Sequence, residues 1–396
     1  MRILFTFIGG RGHLQPLIPV ARAAAAAGHV VAVAGSRKQG DHIRAAGLEA
    51  IATGAPVPTP EQTGPTRDLT PLQPVDPRQD ERDFVESFAR RGARRHATAV
   101  LDVVRRWRPD VLVRDEADFG SGVAAERAGV PCVVLLVLAA GSLLRRDLVV
   151  GPLAELRDEH GLAPEGALAM LDGDLVLCPF PPSFRHPDSP LPSGSFAFRP
   201  GQAAPARRPS DAGPVIYFTL GTSFNSRSGD LIERVLAGLH DLPGRVVATL
   251  GRDVDPSEVA PQPDHVRLER FVDQAELLSG CDLVISHGGS GSVVGALAHG
   301  LPTLLLPLGA DQAHNAERVS DLGVGRGLDS VHATPGDVRD AVLDLLGDPV
   351  YRAAAAEIAA EIAAQPGVEG TVPRLESIGS GAGRAGLPWS RGVERP

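Results

Sequence analysis

The chain is poor in cysteine, in lysine and in long apolar runs, and it carries no excess of positive charge. Its three cysteines, Cys132, Cys178 and Cys281, are odd in number, widely spaced and set in or beside apolar, strand-like stretches. They read as reduced core residues, which argues against a disulfide framework or a thiolate metal site. No apolar run reaches the roughly 18 residues of a membrane span, and the chain opens directly on a strand instead of a cationic leader, so a soluble, cytoplasmic protein is expected. The net charge of −9 comes without a basic stripe, which argues against a nucleic-acid partner. The run of Arg90, Arg91, Arg94 and Arg95 reads as a solvated helix face. Lys38 is the only lysine, while arginine, alanine and glycine abound, a bias of GC-rich genomes.

What is present is length, apolar content and a rhythm. At 396 residues and 43% hydrophobic, the chain suits two domains with a core each. The apolar run Ile3 to Ile8 closes on Gly9-Gly10-Arg11-Gly12, after which Leu14, Leu17, Ile18, Ala21 and Ala25 recur at helical spacing up to Gly28. Val30 to Ala34 resumes as strand. Val111 to Val113, a helix near Gly120 to Ala128, and Val133 to Val137 continue the alternation, which builds a parallel sheet with helices on both faces. Thr53 to Pro77, rich in Pro and Thr, predicts a long loop over the mouth of the first domain. Residues 201–213, inside the Pro-, Ala- and Gly-rich stretch Arg199 to Pro214, are the expected linker. Beyond them come strands near Val215 to Leu220, Val246 to Leu250, Val266 to Leu268, Leu283 to Ser286 and Thr303 to Leu306. Helical sequence follows from Pro335 to Ala364. The expected domains are 1–200 and 214–378, with Thr371 to Ile378 able to return to the first and a disordered tail at 379–396.

The chemistry concentrates at strand ends. Cys281 to Ser286 runs into His287-Gly288-Gly289-Ser290-Gly291-Ser292, a glycine turn opening a helix, where backbone N–H groups converge with no side chain in the way of an anion. Gly221-Thr222-Ser223 ends the first strand of the same domain and adds donors. The next strand ends before Asp311, Gln312 and Asn315, polar groups suited to sugar hydroxyls. In the first domain Gly10-Arg11-Gly12-His13-Leu14-Gln15 imitates a dinucleotide fingerprint, but Gln15 stands at the third glycine position and no ribose-binding acid follows the second strand. What remains is a turn that sets His13 at a helix start, where the positive helix end favours the neutral, basic form. Asp115, Glu116 and Asp118 end a neighbouring strand. Asp115, first after the apolar run, is the expected orienting acid, with Glu116 next. Gly288 to Ser292 lacks the final glycine of a hydrolase elbow. Asp172-Gly173-Asp174 and Asp253-Val254-Asp255 sit in ordinary turn contexts and read as turns, not as Mg²⁺ ligands.

On Gly12-His13-Leu14-Gln15-Pro16, Phe180-Pro181-Pro182-Ser183-Phe184, Gly221-Thr222 and the block from His287-Gly288-Gly289 to Asp311-Gln312 and Asn315, residues 1 to about 378 resemble the family 1 glycosyltransferases of the GT-B fold. The resemblance is to the actinobacterial enzymes that attach deoxysugars to antibiotics. It implies two Rossmann-like domains facing across a cleft and an inverting, metal-independent transfer with no cofactor beyond the sugar nucleotide. It also implies His13 as base with Asp115 behind it, diphosphate contacts at His287, Gly288, Gly289, Ser290 and Thr222, base contacts at Phe271 and Val272, and donor-sugar contacts at Asp311 and Gln312. At Gly295 the chain departs from the glutamate that clamps both ribose hydroxyls in many UDP-sugar enzymes. The expected reaction is therefore deoxysugar transfer from a dTDP-sugar to an apolar secondary metabolite. The alternatives are a UDP-sugar transferase, an epimerase of the same fold, or a non-catalytic homologue that activates a partner. Phosphorylase-like chemistry would need a pyridoxal lysine, and Lys38 lies in the wrong domain. The reading leaves a homodimer open.

Overall fold

The computed structural model describes residues 1–54, 68–201, 213–221, 228–251 and 254–381. Seven strands form the first sheet: β1 (Arg2–Thr6), β2 (Val30–Gly35), β3 (Glu49–Ala52), β4 (Val111–Asp115), β5 (Cys132–Leu135), β6 (Leu175–Cys178) and β7 (Phe196–Ala197). Six form the second: β8 (Val215–Thr219), β9 (Arg245–Thr249), β10 (Val266–Glu269), β11 (Leu283–Ser286), β12 (Thr303–Leu305) and β13 (Gly325–Gly327). Every pairing is parallel, in the orders β3-β2-β1-β4-β5-β6-β7 and β10-β9-β8-β11-β12-β13. The central strands are buried on both faces, as Val111–Asp115 and Val215–Thr219 are at every position, so they read as continuous apolar runs instead of alternating ones.

In each sheet the strand order reverses once, between β1 and β4 and between β8 and β11. Chains leaving such neighbours diverge to opposite faces and open a crevice outside the carboxyl ends, where open α/β sheets bind ligands.

Several expected boundaries move. The first strand ends at Thr6, because Ile8 turns its N–H to Asp115 at 2.9 Å. The helical stretch 335–364 is two helices, Pro335–Gly347 and Pro349–Ala364; Asp348 lies between them, and its carboxylate accepts the Val350 N–H at the start of the second. Pro77–Phe84, Val85–Gly92 and Ala93–Trp107 run on as one long helix whose middle segment is a π-helix. Arg90 and Arg94, on that helix, pair with Glu155 and, for Arg94, Glu159 of Arg146–Glu159, so the arginine run is partly an interhelical seam. The helix Val372–Gly379 returns to the first domain: Glu376 meets His29 at 3.2 Å, and Gly379 packs on Met1 and Val111. Residues 372–379 therefore pack with the first sheet although the expected second domain, 214–378, included most of them. Most of the expected linker, 202–212, and the tail from 382 lie outside the described residues. Of the long loop, 53–54 and 68–77 are described, Pro77 opening a helix, and the second part reaches the second domain, where Leu72 packs on that core.

An apolar cluster joins the two halves. Val134, Leu136, Val176, Phe180 and Phe184 from the first pack with Val293, Leu297, Leu305, Val319 and Ile358 from the second. All three cysteines are buried and free, and burial pushes each thiol up to about 12, so they are inert core residues. No described helix is long and apolar enough to cross a membrane.

Candidate active site

The turn after β1 is short because Gly9 takes a left-handed φ of 102°, and the helix Arg11–Leu14 starts at once from Gly10. This sets His13 over the end of the sheet. Its Nδ1 lies 3.4 Å from Oδ2 of Asp115, the last residue of β4. Asp115 is fully buried, and its oxygens accept the N–H groups of Ile8 at 2.9 Å and Ala117 at 2.6 Å. Phe88, from the π-segment, stacks on the imidazole with centroids 5.4 Å apart. Beneath them Arg114, also fully buried, donates to the carbonyls of Asp115, Glu116, Met170 and Leu171 and fixes the backbone of the acid turn.

The electrostatics correct one expectation. Burial pushes the His13 pKa down, but the charge of Asp115 at 3.4 Å, helped by Asp311 and Glu116, overcomes it, and the net shift is upward from 6.5. The helix has a single turn and a weak dipole, so the buried carboxylate wins over it. With Nδ1 on Asp115, Nε2 is the nitrogen left to take a proton.

The other two acids do different work. Glu116 Oε1 accepts the N–H groups of Val137 and Leu138 at 2.5 and 2.6 Å, and burial raises its pKa against the pull of Arg185. Asp118 caps the helix Phe119–Ala128 and binds Nδ1 of His96 at 2.7 Å, while His96 Nε2 meets Thr53 Oγ1 at 3.0 Å. This second His–Asp pair was not anticipated from the sequence.

In the second domain β11 delivers His287 to the turn as expected. Gly288 has φ +90°, Gly289 caps the helix Ser290–Ala298, and the first N–H groups of that helix have no carbonyl within it to bind. His287 sits so close that a Cβ on Gly289 would lie 2.6 Å from its Nε2, and one on Gly221 would lie 2.6 Å from its Cε1. Burial drives its pKa down to about 4, so it is neutral at working pH. Thr222 lies outside the described residues.

Ser290, expected on the diphosphate, has its hydroxyl engaged elsewhere: it accepts the Ala139 N–H of the first domain at 2.8 Å and donates to Asp311 Oδ2 at 2.6 Å. Asn315 completes this seam, accepting from Ala140 at 3.2 Å and donating to Gly288 O and Asp311. Gln312 is buried, its Oε1 accepting the Leu308 N–H at 2.7 Å, which leaves Asp311 as the more open of the pair. Ser183 and Phe184 offer carbonyls to Arg318, so the proline-rich block is also part of the seam. Phe271 stands exposed after β10, and Val272 packs beside Leu278 and Ala296. Gly295 is near them: a Cβ added there would lie 3.7 Å from Leu278 Cδ1 and 4.0 Å from Gln274 Oε1. Asp172 pairs with Arg146, Asp174 accepts from Cys132 and Asp255 caps a short helix, while Asp253 lies outside the described residues.

Two parallel α/β domains joined by this seam, one with a histidine–aspartate pair and the other with a glycine turn that opens a helix, have the architecture of a GT-B glycosyltransferase. A family model described as erythromycin biosynthesis protein CIII-like, C-terminal domain, matches residues 233–378. The chain is 32% identical to the L-demethylnoviosyl transferase of Streptomyces niveus over 385 residues, 92% of this chain and 95% of that protein. It is 29% identical to the 10-deoxymethynolide desosaminyltransferase of Streptomyces venezuelae, over 96% and 97% of the two chains. The glycosyltransferase VinC, in its complex with dTDP, superposes with a TM-score of 0.73 at 26% identity, over 96% of this chain and all of that one. The protein belongs to the family of antibiotic deoxysugar glycosyltransferases.

Proposed function

We propose that the protein transfers a deoxysugar from a dTDP-sugar to a hydroxyl of an apolar secondary metabolite, inverting the anomeric carbon, with His13 as general base. The observation that carries this reading is the His13–Asp115 pair, close enough across the cleft to Asp311 that the charge of Asp311 raises the His13 pKa. The acceptor hydroxyl loses its proton to His13 Nε2 as its oxygen attacks the anomeric carbon, and Asp115 stabilises the imidazolium. The bond to the diphosphate breaks in the same step. Charge growing on the leaving group meets the N-terminus of the helix Ser290–Ala298, with one N–H of neutral His287 beside it. That donor set neutralises the diphosphate without a divalent ion. Relatives named for desosaminyl and demethylnoviosyl transfer, and VinC bound to dTDP, support the donor class.

The test is turnover of a dTDP-deoxysugar in excess EDTA, with the anomeric configuration of the product read by NMR. Undiminished activity and an inverted product are expected. Activity that vanishes in chelator and returns with Mg²⁺, or a retained configuration, would refute the mechanism.

A further inference from the structure

Asn315 is fully buried where Ser290 and Asp311 meet, and both ends of its amide are in use. Its Oδ1 accepts the Ala140 N–H at 3.2 Å, and its Nδ2 donates to Gly288 O at 2.8 Å and to Asp311 Oδ2 at 2.9 Å. Turned over, the amide would set its NH2 against an N–H and its oxygen against a carbonyl and a carboxylate, so the network admits one orientation. Ser290 repeats the pattern: its hydroxyl accepts the Ala139 N–H at 2.8 Å and donates to the same Asp311 Oδ2 at 2.6 Å. Two neutral side chains thus each take a backbone N–H from the first domain and give a hydrogen bond to one oxygen of Asp311. The segment that supplies those N–H groups is fixed in turn, since Glu116 binds the N–H groups of Val137 and Leu138, and Arg185 donates to the Leu138 carbonyl at 2.9 Å. Asp311 is half-buried, and its Oδ1 forms no hydrogen bond among the described residues.

We propose that Asn315 and Ser290 are positioning residues for donor-sugar recognition: by pinning Oδ2 of Asp311 they leave Oδ1 to accept a hydroxyl of the sugar, and the first domain sets the pin through Ala139 and Ala140. The inference rests on Asp311 as the donor-sugar contact. A carboxylate free to rotate offers a hydroxyl either oxygen over a range of angles, whereas one held by two donors on a single oxygen offers the other in a fixed direction and loses less freedom on binding. The sugar of a bound donor depends on this pin. The nucleotide, which meets other elements, does not.

The experiment compares wild type, Asp311→Ala, Asn315→Ala, Ser290→Ala and the two double variants that add Asp311→Ala, using a dTDP-6-deoxyhexose that the wild type hydrolyses, with dTDP titrated separately by calorimetry. With hydrolysis slow beside donor release, KM reports donor affinity. Asn315→Ala is expected to raise the donor KM about tenfold, or ~1.4 kcal/mol, and Ser290→Ala somewhat less. Ser290→Ala keeps the Asn315 bond to Gly288 O, so its dTDP affinity should hold. In the Asp311→Ala background either change should add less than about twofold, because the group they position is gone. An unchanged donor KM in both single variants, a loss of dTDP affinity in Ser290→Ala equal to its loss of donor affinity, or effects that persist in full without Asp311 overturn the proposal. The last of these is what a purely structural seam predicts. Asp311→Ala separates the two readings. If it leaves the donor KM unchanged, the assignment of Asp311 fails and this inference with it; if it raises KM while neither Asn315→Ala nor Ser290→Ala does, only the positioning roles fail.

Discussion

Each domain places a histidine at the crevice where its strand order reverses, and the two histidines have opposite electrostatics. His13 follows β1, and the neighbouring strand β4 brings it Asp115. His287 follows β11, and the neighbouring strand β8 brings it Gly221, so its ring is boxed between two glycines. Both are largely enclosed, and desolvation opposes the charge of both. The carboxylate reverses that effect at His13, and no described group reverses it at His287, so one pKa rises above 6.5 and the other falls to about 4. One crevice holds a histidine beside a buried carboxylate, and the other a neutral histidine set between two glycines.

The comparison breaks most severely at His13. His13→Ala should cut turnover by about 10²–10⁴-fold, while calorimetry should find dTDP affinity within a few fold of wild type. Loss of dTDP binding in that variant would show that the two crevices are not separate in function. Asp115→Asn should come next. Without the anion, desolvation governs His13 and its pKa falls. The acid limb of kcat/KM, expected above 6.5 in the wild type, should therefore move to lower pH as turnover drops by about tenfold or more. A limb that stays in place would mean that Asp115 does not set the base. Glu116→Gln should do less, because both of its backbone bonds end on one oxygen, which an amide can replace.

On the other side, Gly289→Ala acts on space. Its φ of −62° suits alanine, yet the new Cβ would lie 2.6 Å from His287 Nε2 and must displace the ring. A roughly tenfold weaker dTDP affinity is expected, with the pH limb of turnover unmoved. The smallest effect is at Gly295. Its Cβ position meets nothing closer than 3.7 Å, so Gly295→Glu should fit and reach the ribose, narrowing the preference for dTDP over UDP by up to about one decade. Equal affinities of the wild type for dTDP and UDP would remove the reasoning behind this variant.

How much of this was legible in the sequence followed the range of the interaction. The crevices were, since the apolar runs that carry β1 and β8 stop at Gly9 and Gly221, that of β4 at Arg114-Asp115, and that of β11 at Ser286-His287-Gly288. Asp115 could be chosen over Glu116 because the acid nearest the strand faces the adjacent turn. Of the long helix 77–107 only the arginine run from Arg90 to Arg95 was read as helical, although Val85, Ala89, Ala93, Ala97, Val100 and Val104 lie on one face of it. Its buried residues are mostly small and its visible ones are arginines, so the periodic signal is weak, although Asp76 before Pro77 is a capping signature. The second role of Ser290 was beyond reach, since its partner, the Ala139 N–H, is 151 residues away.

The π-segment Val85–Gly92 makes the site sensitive to length as well as to composition. It carries Phe88 and joins Pro77–Phe84 to Ala93–Trp107, which is wedged against Gly120 so tightly that a Cβ there would lie 2.5 Å from Ala93 O. Removing one residue from the wide turns would let them close to ordinary α geometry and swing the cleft end through about 100° about its axis. Substitutions along this helix can therefore accumulate one at a time, but a single-codon deletion just after Phe88 would turn its ring away from His13 in one step.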